Sequence, residues 1–450
     1  MSIDNIDNSN RNDAQMPRLP LEGIRVVELG RAWVGPSATK ILGDLGAEVI
    51  KVESVNVWPV FSRGIRARPT KEMLASQSPF TGGYPNREPG KRPWNLFPLH
   101  VYLSRNKLGM TVRNLKEPKS RELFLRLIKV SDIFIENNQA DTLDKLNVNY
   151  DVLKEVKPDI IVVRPSVGGL TGRYSDFRAH GQQLDALGGH VSLRGYTDMG
   201  PEANSAVYVT DHIGGQCGAF AAMLALAYRH KTGKGQLIDC SELETLPLCL
   251  SEAMMDYSMN QRVHTRIGNR DNHGAVPCGC YRCQGEDNWI NITVTSEEEW
   301  RGFKKALENP SWAEEERFSV AYNRWQNQDA LDKLIEEWTS KQYKYDVMKL
   351  LQKEGVPAGP VLNAADVYND PHYQARGFFE KVAHPDAGTH LYPGATWQLS
   401  KTPIKILRPG IIFGEDNEYV YKHVLGVSDE EYAELVAQGE ISDEPAPDIL

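Results

Sequence analysis

Short runs of β-branched and aliphatic residues recur along the first half of the chain, separated by stretches with helical spacing. "IRVVEL" (24–29) stops at Gly30, and "EVIKVE" (48–53) follows after a segment, "PSATKILGDLG", whose Pro36 suits a first helical turn. Strand, helix and strand within about 30 residues form a βαβ unit and imply a parallel pair. "ELFLRLIKV" (122–130) places Leu123, Leu127 and Val130 on one helical face. "DIFIEN" (132–137) and "DIIVVRPS" (159–166) then read as strands around a helical "YDVLKEVKP". The pattern predicts a doubly wound α/β domain with a parallel sheet.

Residues 211–236 are apolar on nearly all faces and predict a buried helix. Gly214, Gly215 and Gly218 permit close approach of another backbone, and Gly233 ends the helix after Arg229, His230 and Lys231. The texture changes after residue 260. "GNRDNHGAVPCGCYRC" reads as a loop and "NWINITV" as a strand; "SEEEWRGFKKAL" and "QDALDKLIEEWTSK" read as amphipathic helices. Ser296 and Glu299 have the spacing of a capping box. The resulting division is a disordered tail (1–18), a large domain (19–240), a linker (241–261), a small α+β domain (262–350) and a return to the large domain (351–450). "EGVPAGPV" (354–361) reads as the punctuation of that return.

Composition narrows the function. A formal charge of -9 argues against a nucleic-acid partner, because phosphate binding needs a basic face. The longest apolar run, 218–228, is too short for a membrane span of about 20 residues. Residues 1–18 have no apolar core of a targeting signal, so the expected location is the cytoplasm. Six cysteines do not make a disulfide framework. Cys278, Cys280 and Cys283 cluster, but the second pair of a closed zinc site is missing, so no metal is expected.

Local chemistry alone leaves the function open. No dinucleotide fingerprint, P-loop, nucleophile elbow or zinc-helix motif is present. "GRAWVG" (30–35) turns a strand into a helix whose N-terminus suits an anion or serves only as a tight packing turn. "RNK" (105–107) is a solvated cationic face or a phosphate contact, and His180 and His212 are structural or basic.

The ordered motifs go further. "LPLEGIRVVELGRAWVGPSATKILGDLGAEVIKVE" (19–53), "RNKLGMTV", "SDIFIENNQADTLDKLNVNYDVLKEVKPDII", "GGLTGRY", "HKTGKGQLIDCSELE" and "EGVPAGPV…DPHYQARGFF" together resemble the class III CoA-transferases, the family that includes α-methylacyl-CoA racemase. The resemblance spans about 19–410. Each motif is modest by itself; the ordered set is specific. It implies a Rossmann-like large domain built from both chain ends, a small domain, and two interlocked subunits. It also implies an aspartate that attacks an acyl-CoA thioester, with coenzyme A as substrate and no other cofactor. By motif position, the CoA contacts are Trp33, Arg105, Lys107, Asn137 and Lys145. A glycine-rich loop around Gly268, Asn269, Gly274 and Gly279 covers the active site of the other subunit.

The family's aspartate stands seven and eight residues before a small-Gly pair. Counting back from Gly188–Gly189 reaches Gly181, which has no side chain. Other family features are altered nearby: "NNQAD" (137–141) replaces an aromatic-Arg-Pro-Gly turn, Arg173 replaces a proline, and Trp33 is larger than usual. Three readings follow. The chain is a non-catalytic subunit whose homologous partner carries the aspartate, most similar to members moving CoA from succinyl-CoA to benzylsuccinate in anaerobic aromatic degradation. Alternatively, it is a catalytic homodimer with Asp185 or Asp176 as a displaced acid. The third reading is a racemase, lyase or CoA-binding regulator using His180 or Asp211.

Overall fold

The computed structural model describes residues 18–76, 83–203 and 208–449; the expected tail thus lies almost wholly outside the described residues. The chain divides into two units. The first comprises 1–184, 208–246 and 377–450, and the second 185–207 and 247–376.

The first unit is built on six parallel strands: β1 (Arg25–Glu28), β2 (Glu48–Ser54), β3 (Lys107–Val112), β4 (Ile133–Ile135), β5 (Ile161–Ser166) and β6 (Leu237–Ser241). Their order is β3-β2-β1-β4-β5-β6, the doubly wound order with a reversal between β1 and β4. The strands read as continuous apolar runs because both faces are covered. Val26, Ile133, Ile135, Ile161 and Val163 pack under α1 (Val34–Asp44) and α5 (Val209–Thr232). Their neighbours Val27, Phe134 and Val162 face Leu123, Phe124 and Leu127 of α2 (Pro118–Lys129) and Leu153 of α3 (Tyr150–Val156).

The glycines of α5 act as expected. A Cβ on Gly215 would stand 2.7 Å from Ser37 Cβ of α1, so only glycine lets these helices meet this closely. Gly233 caps α5 at φ 72°. The expectation of burial on all faces is corrected, because Phe220, Leu224 and Tyr228 form a stripe 46–59% exposed. At the sheet edge, Asp416 and Asn417 accept from the Gly109 and Thr111 amides of β3 at 2.8 Å each. The returning chain thereby covers the edge strand's open donors.

In the second unit β7 (Cys278–Arg282), β8 (Trp289–Thr293) and β9 (Ala358–Pro360) form an antiparallel sheet. Ile290 and Ile292 of β8 pack with Trp300 and Phe303 of α8 (Glu297–Ala306), Leu331 and Ile335 of α9 (Gln328–Thr339), and Val347 and Leu351 of α10 (Lys344–Lys353). Ser296 caps α8 by accepting from the Glu299 amide, but Glu299 turns to Thr295 instead of closing the box.

Two boundaries differ from the sequence reading. The segment 241–261 is not a linker but two helices, α6 (Glu242–Cys249) and α7 (Ser251–Asn260). Several of its large side chains, such as Leu248, Met255 and Met259, are exposed, so no amphipathic period announces it. The chain returns to the first unit at Gly377 rather than 351, because "EGVPAGPV" leads into β9.

One buried network ties the first unit together. Glu28, at the end of β1, accepts from Lys51 of β2 at 2.5 Å, Lys107 of β3 at 2.7 Å and Thr39 of α1 at 2.5 Å. Burial alone would raise the Glu28 carboxyl, but Lys107 and Lys51 outweigh it and hold it at about 2. Replacing Glu28 by Gln strands two buried ammonium groups and should cost about 3–5 kcal/mol, read as a lower urea midpoint at pH 7. Because the folded pKa lies below the unfolded value, wild-type stability falls as pH drops from about 5 toward 2, and Glu28→Gln flattens that limb. An unchanged midpoint would show that the network does not hold the sheet.

Candidate active site

Ligands of doubly wound sheets bind beyond the carboxyl ends of the strands, where the order reverses. Here that place lies between the turns after β1 and β4. The two turns are clamped by Asn137, whose Oδ1 accepts from the Arg31 amide at 2.7 Å while its Nδ2 donates to the Arg31 carbonyl at 2.9 Å. Gly30 and Gly35 leave room for it, since a Cβ on Gly35 would lie 2.7 Å from Asn137 Oδ1. Beside this clamp is a cavity of about 270 Å³ whose polar lining includes Arg31, Ser54, Asn114, Lys116, Asn138 and Thr142. Among the described residues Arg31 has no ion-pair partner. A free guanidinium near a helix N-terminus suits an anionic group such as phosphate.

Three carboxylates at the strand ends are buried and paired with cations. Besides Glu28, Glu53 of β2 accepts both arms of Arg63 at 2.7 and 2.6 Å, and Glu136 after β4 pairs with Arg164 of β5. Glu136 also accepts from the Asn138 amide at 2.7 Å, which fixes the turn after β4.

The residues expected to contact CoA are not brought together as a group. Arg105 is buried against Asp44 at 2.7 Å and the Pro393 carbonyl, and Lys107 is consumed by Glu28. Both precede or open β3 instead of following it, so they serve the fold and are corrected as phosphate contacts. Lys145 pairs with Asp141 at 2.5 Å on the surface. Asn137 holds the turn. Trp33, just before α1, packs on Tyr208 at 4.6 Å and lies 6.3 Å from the His212 ring. Arg31 and Lys116 were missed; the strand-to-helix turn was the available signal for Arg31.

Gly181 opens the short helix α4 (Gly181–Leu187). A Cβ there would overlap Asp211 Oδ2 and stand 2.8 Å from Tyr208 Cβ. The fallback acids lie elsewhere on the same stretch of chain. Asp176 is exposed in a turn, and Asp185, one helical turn on, is buried 3.9 Å from His190. His180 packs its ring edge-on to Phe61 at 5.1 Å. The sequence reading also missed Glu242, the first residue of α6. It is 4% exposed, and burial first and Asp211 second push its carboxyl well above the usual range.

The second unit holds the expected loop. Gly268 has φ 68°, and a Cβ on it would strike the Tyr196 ring at 2.6 Å; Asn269 donates to the Tyr196 hydroxyl at 2.6 Å. Gly274 has φ 97° with open space around it. Gly279 is corrected: it sits in β7, not in the loop, where the Tyr281 hydroxyl lies 2.6 Å from where a Cβ would be. The described residues contain no cluster fit to hold a metal ion and no helix long and apolar enough to cross a membrane.

Asn137→Ala should release the turn after β1 and cost about 0.5–1.5 kcal/mol for each of the two hydrogen bonds lost. Urea unfolding checks this, and an unchanged midpoint would show that the turn holds itself.

The chain is 29% identical over 420 residues to the succinyl-CoA–L-malate CoA-transferase alpha subunit of Chloroflexus aurantiacus, covering 93% of this chain and 92% of that protein. It is 28% identical to the beta subunit of that enzyme, covering 94% and 98%. It is 30% identical to the succinyl-CoA–D-citramalate CoA-transferase of the same organism, covering 94% and 99%. Among solved structures, a CAIB/BAIF family protein from Brucella suis superposes with a TM-score of 0.77 at 28% identity, covering 90% of this chain and all of that one. The model of CoA-transferase family III matches residues 21–417, and the chain belongs to that family.

Proposed function

We propose that this chain is the subunit without the nucleophile in a heteromeric class III CoA-transferase, paired with a homologous chain that carries the aspartate. The observation that carries this reading is Gly181: the position reached by the family's spacing has no side chain, and Asp211 and Tyr208 stand in its place. Two observations support pairing. The alpha and beta subunit relatives are both homologous to this chain, and the exposed stripe Phe220, Leu224 and Tyr228 suits a partner chain.

The donor is an acyl-CoA such as succinyl-CoA, which the names of several relatives specify. The acceptor in this reading is a dicarboxylic acid such as benzylsuccinate, taken up at the partner's site. The partner's aspartate attacks the thioester carbonyl and expels CoA thiolate, leaving a mixed anhydride. The thiolate then attacks the aspartyl carbonyl, releases the first acid and forms an enzyme thioester. The acceptor carboxylate repeats the sequence in reverse. No other cofactor is needed, because every intermediate is a carboxyl derivative. We place the enzyme in the cytoplasm with its CoA substrates. This chain supplies Arg31 and the Asn137-clamped turn to a phosphate, and its loop at Gly268–Gly274 excludes water from the partner's intermediates.

The test is turnover of succinyl-CoA by each chain and by the pair, with hydroxylamine trapping and mass mapping. Each chain alone should be inactive and the pair active, with the label confined to the partner. Losing a nucleophile costs on the order of a million-fold, so the contrast is large. A label on Asp185 or Asp176 of this chain would overturn the reading.

A further inference from the structure

The space a side chain at 181 would take is filled by Asp211 and Tyr208. Asp211 lies in the first turn of α5, 8% exposed, with Oδ2 inside the space of a Gly181 side chain. Glu242 lies over the same turn of α5: a Cβ on Gly214 would stand 3.1 Å from its Cγ and 3.0 Å from Val34 Cγ2 of α1. Among the described residues Glu28, Glu53 and Glu136 each have a cationic partner at their strand end. Glu242, which follows β6, has none, and its Oε2 accepts no hydrogen bond. Its charged neighbour is another acid, Asp211, with the Cys240 thiol also nearby. Burial and the neighbouring Asp211 both disfavour the charged form of Glu242, so the arrangement is stable when Glu242 is neutral.

We propose that Asp211, backed by the buried Glu242, plugs the acyl-accepting site of this chain, so that a pair of chains turns over at one site instead of two. The one-site consequence rests on the proposed pairing; the plug itself does not. An aspartate added at 181 meets the Asp211 carboxylate and the Tyr208 side chain at once, so restoring the missing residue alone cannot restore the site. Removing the Asp211 carboxylate has to come with it.

The plug is tested on the protein as purified by melting curves across pH. Glu242 has a folded pKa above its unfolded one, so wild-type stability declines as pH rises from about 4.5 through the folded value. Glu242→Gln should therefore melt above wild type by about 2–4 °C at pH 8, with the gain gone below pH 4.5. Gly181→Asp should melt below wild type, and adding Asp211→Ala should recover most of that loss. A Glu242→Gln curve parallel to wild type at every pH, or a Gly181→Asp variant as stable as wild type, would overturn the plug. Trapped label is then counted on the active pair. One label per two chains is expected, rising toward two with Gly181→Asp and Asp211→Ala together. Two labels in the wild-type pair would overturn the one-site consequence, and an inactive pair with the melting results intact would fault the pairing and leave the plug standing.

Discussion

The first unit depends on Glu28. A carboxylate with no exposure is tolerated only with compensation, and here two lysines and a threonine from three different elements supply it. Lys51 also donates to the Gly30 carbonyl at 3.0 Å and Lys107 to the Pro36 carbonyl at 2.9 Å. The network therefore fixes both ends of the turn between β1 and α1 as well as joining β1 to β3. The turn that could hold a phosphate is positioned by charges that never meet the ligand.

Asn137 adds a second constraint from β4. Its side chain acts as a short substitute strand, exchanging two hydrogen bonds with the backbone of Arg31. The amide fits only because Gly30 and Gly35 lack side chains. Arg31 is then carried by a turn fixed from both sides of the reversal point, and its guanidinium is left for another partner. A surface loop bearing the same arginine would lose more entropy on binding.

The parallel sheet was legible because burial on both faces leaves unbroken apolar runs, and β1, β2, β4 and β5 fall within one or two residues of those runs. The small unit was less legible. Its boundaries follow β9, three residues that pair only because β8 is already in place, and α6 and α7, which lack an apolar period. Arg105 and Lys107 were misjudged for a related reason. A sequence displays a cation but not the carboxylate that will claim it, and Asp44 and Glu28 lie 61 and 79 positions away. Glu242 was hidden in the same way; Asp211 was named, but not as the side chain that takes the space at 181.

The strand-end carboxylates separate what the fold requires from what a side chain at 181 would add. Glu28, Glu53 and Glu136 each answer a buried cation, so removing any of them leaves a charge without a partner. The side chain at 181 has no such duty. The position begins a short helix beside Asp211 and Tyr208, neither of them a cation that would need an acid there. Glycine there costs backbone freedom of about 1 kcal/mol but strands no ion. Asp211 Oδ2 takes that space, and burial with Asp211 beside it disfavours the charged form of Glu242. The fold therefore depends on the lysine-bound glutamate and does not depend on a side chain at 181.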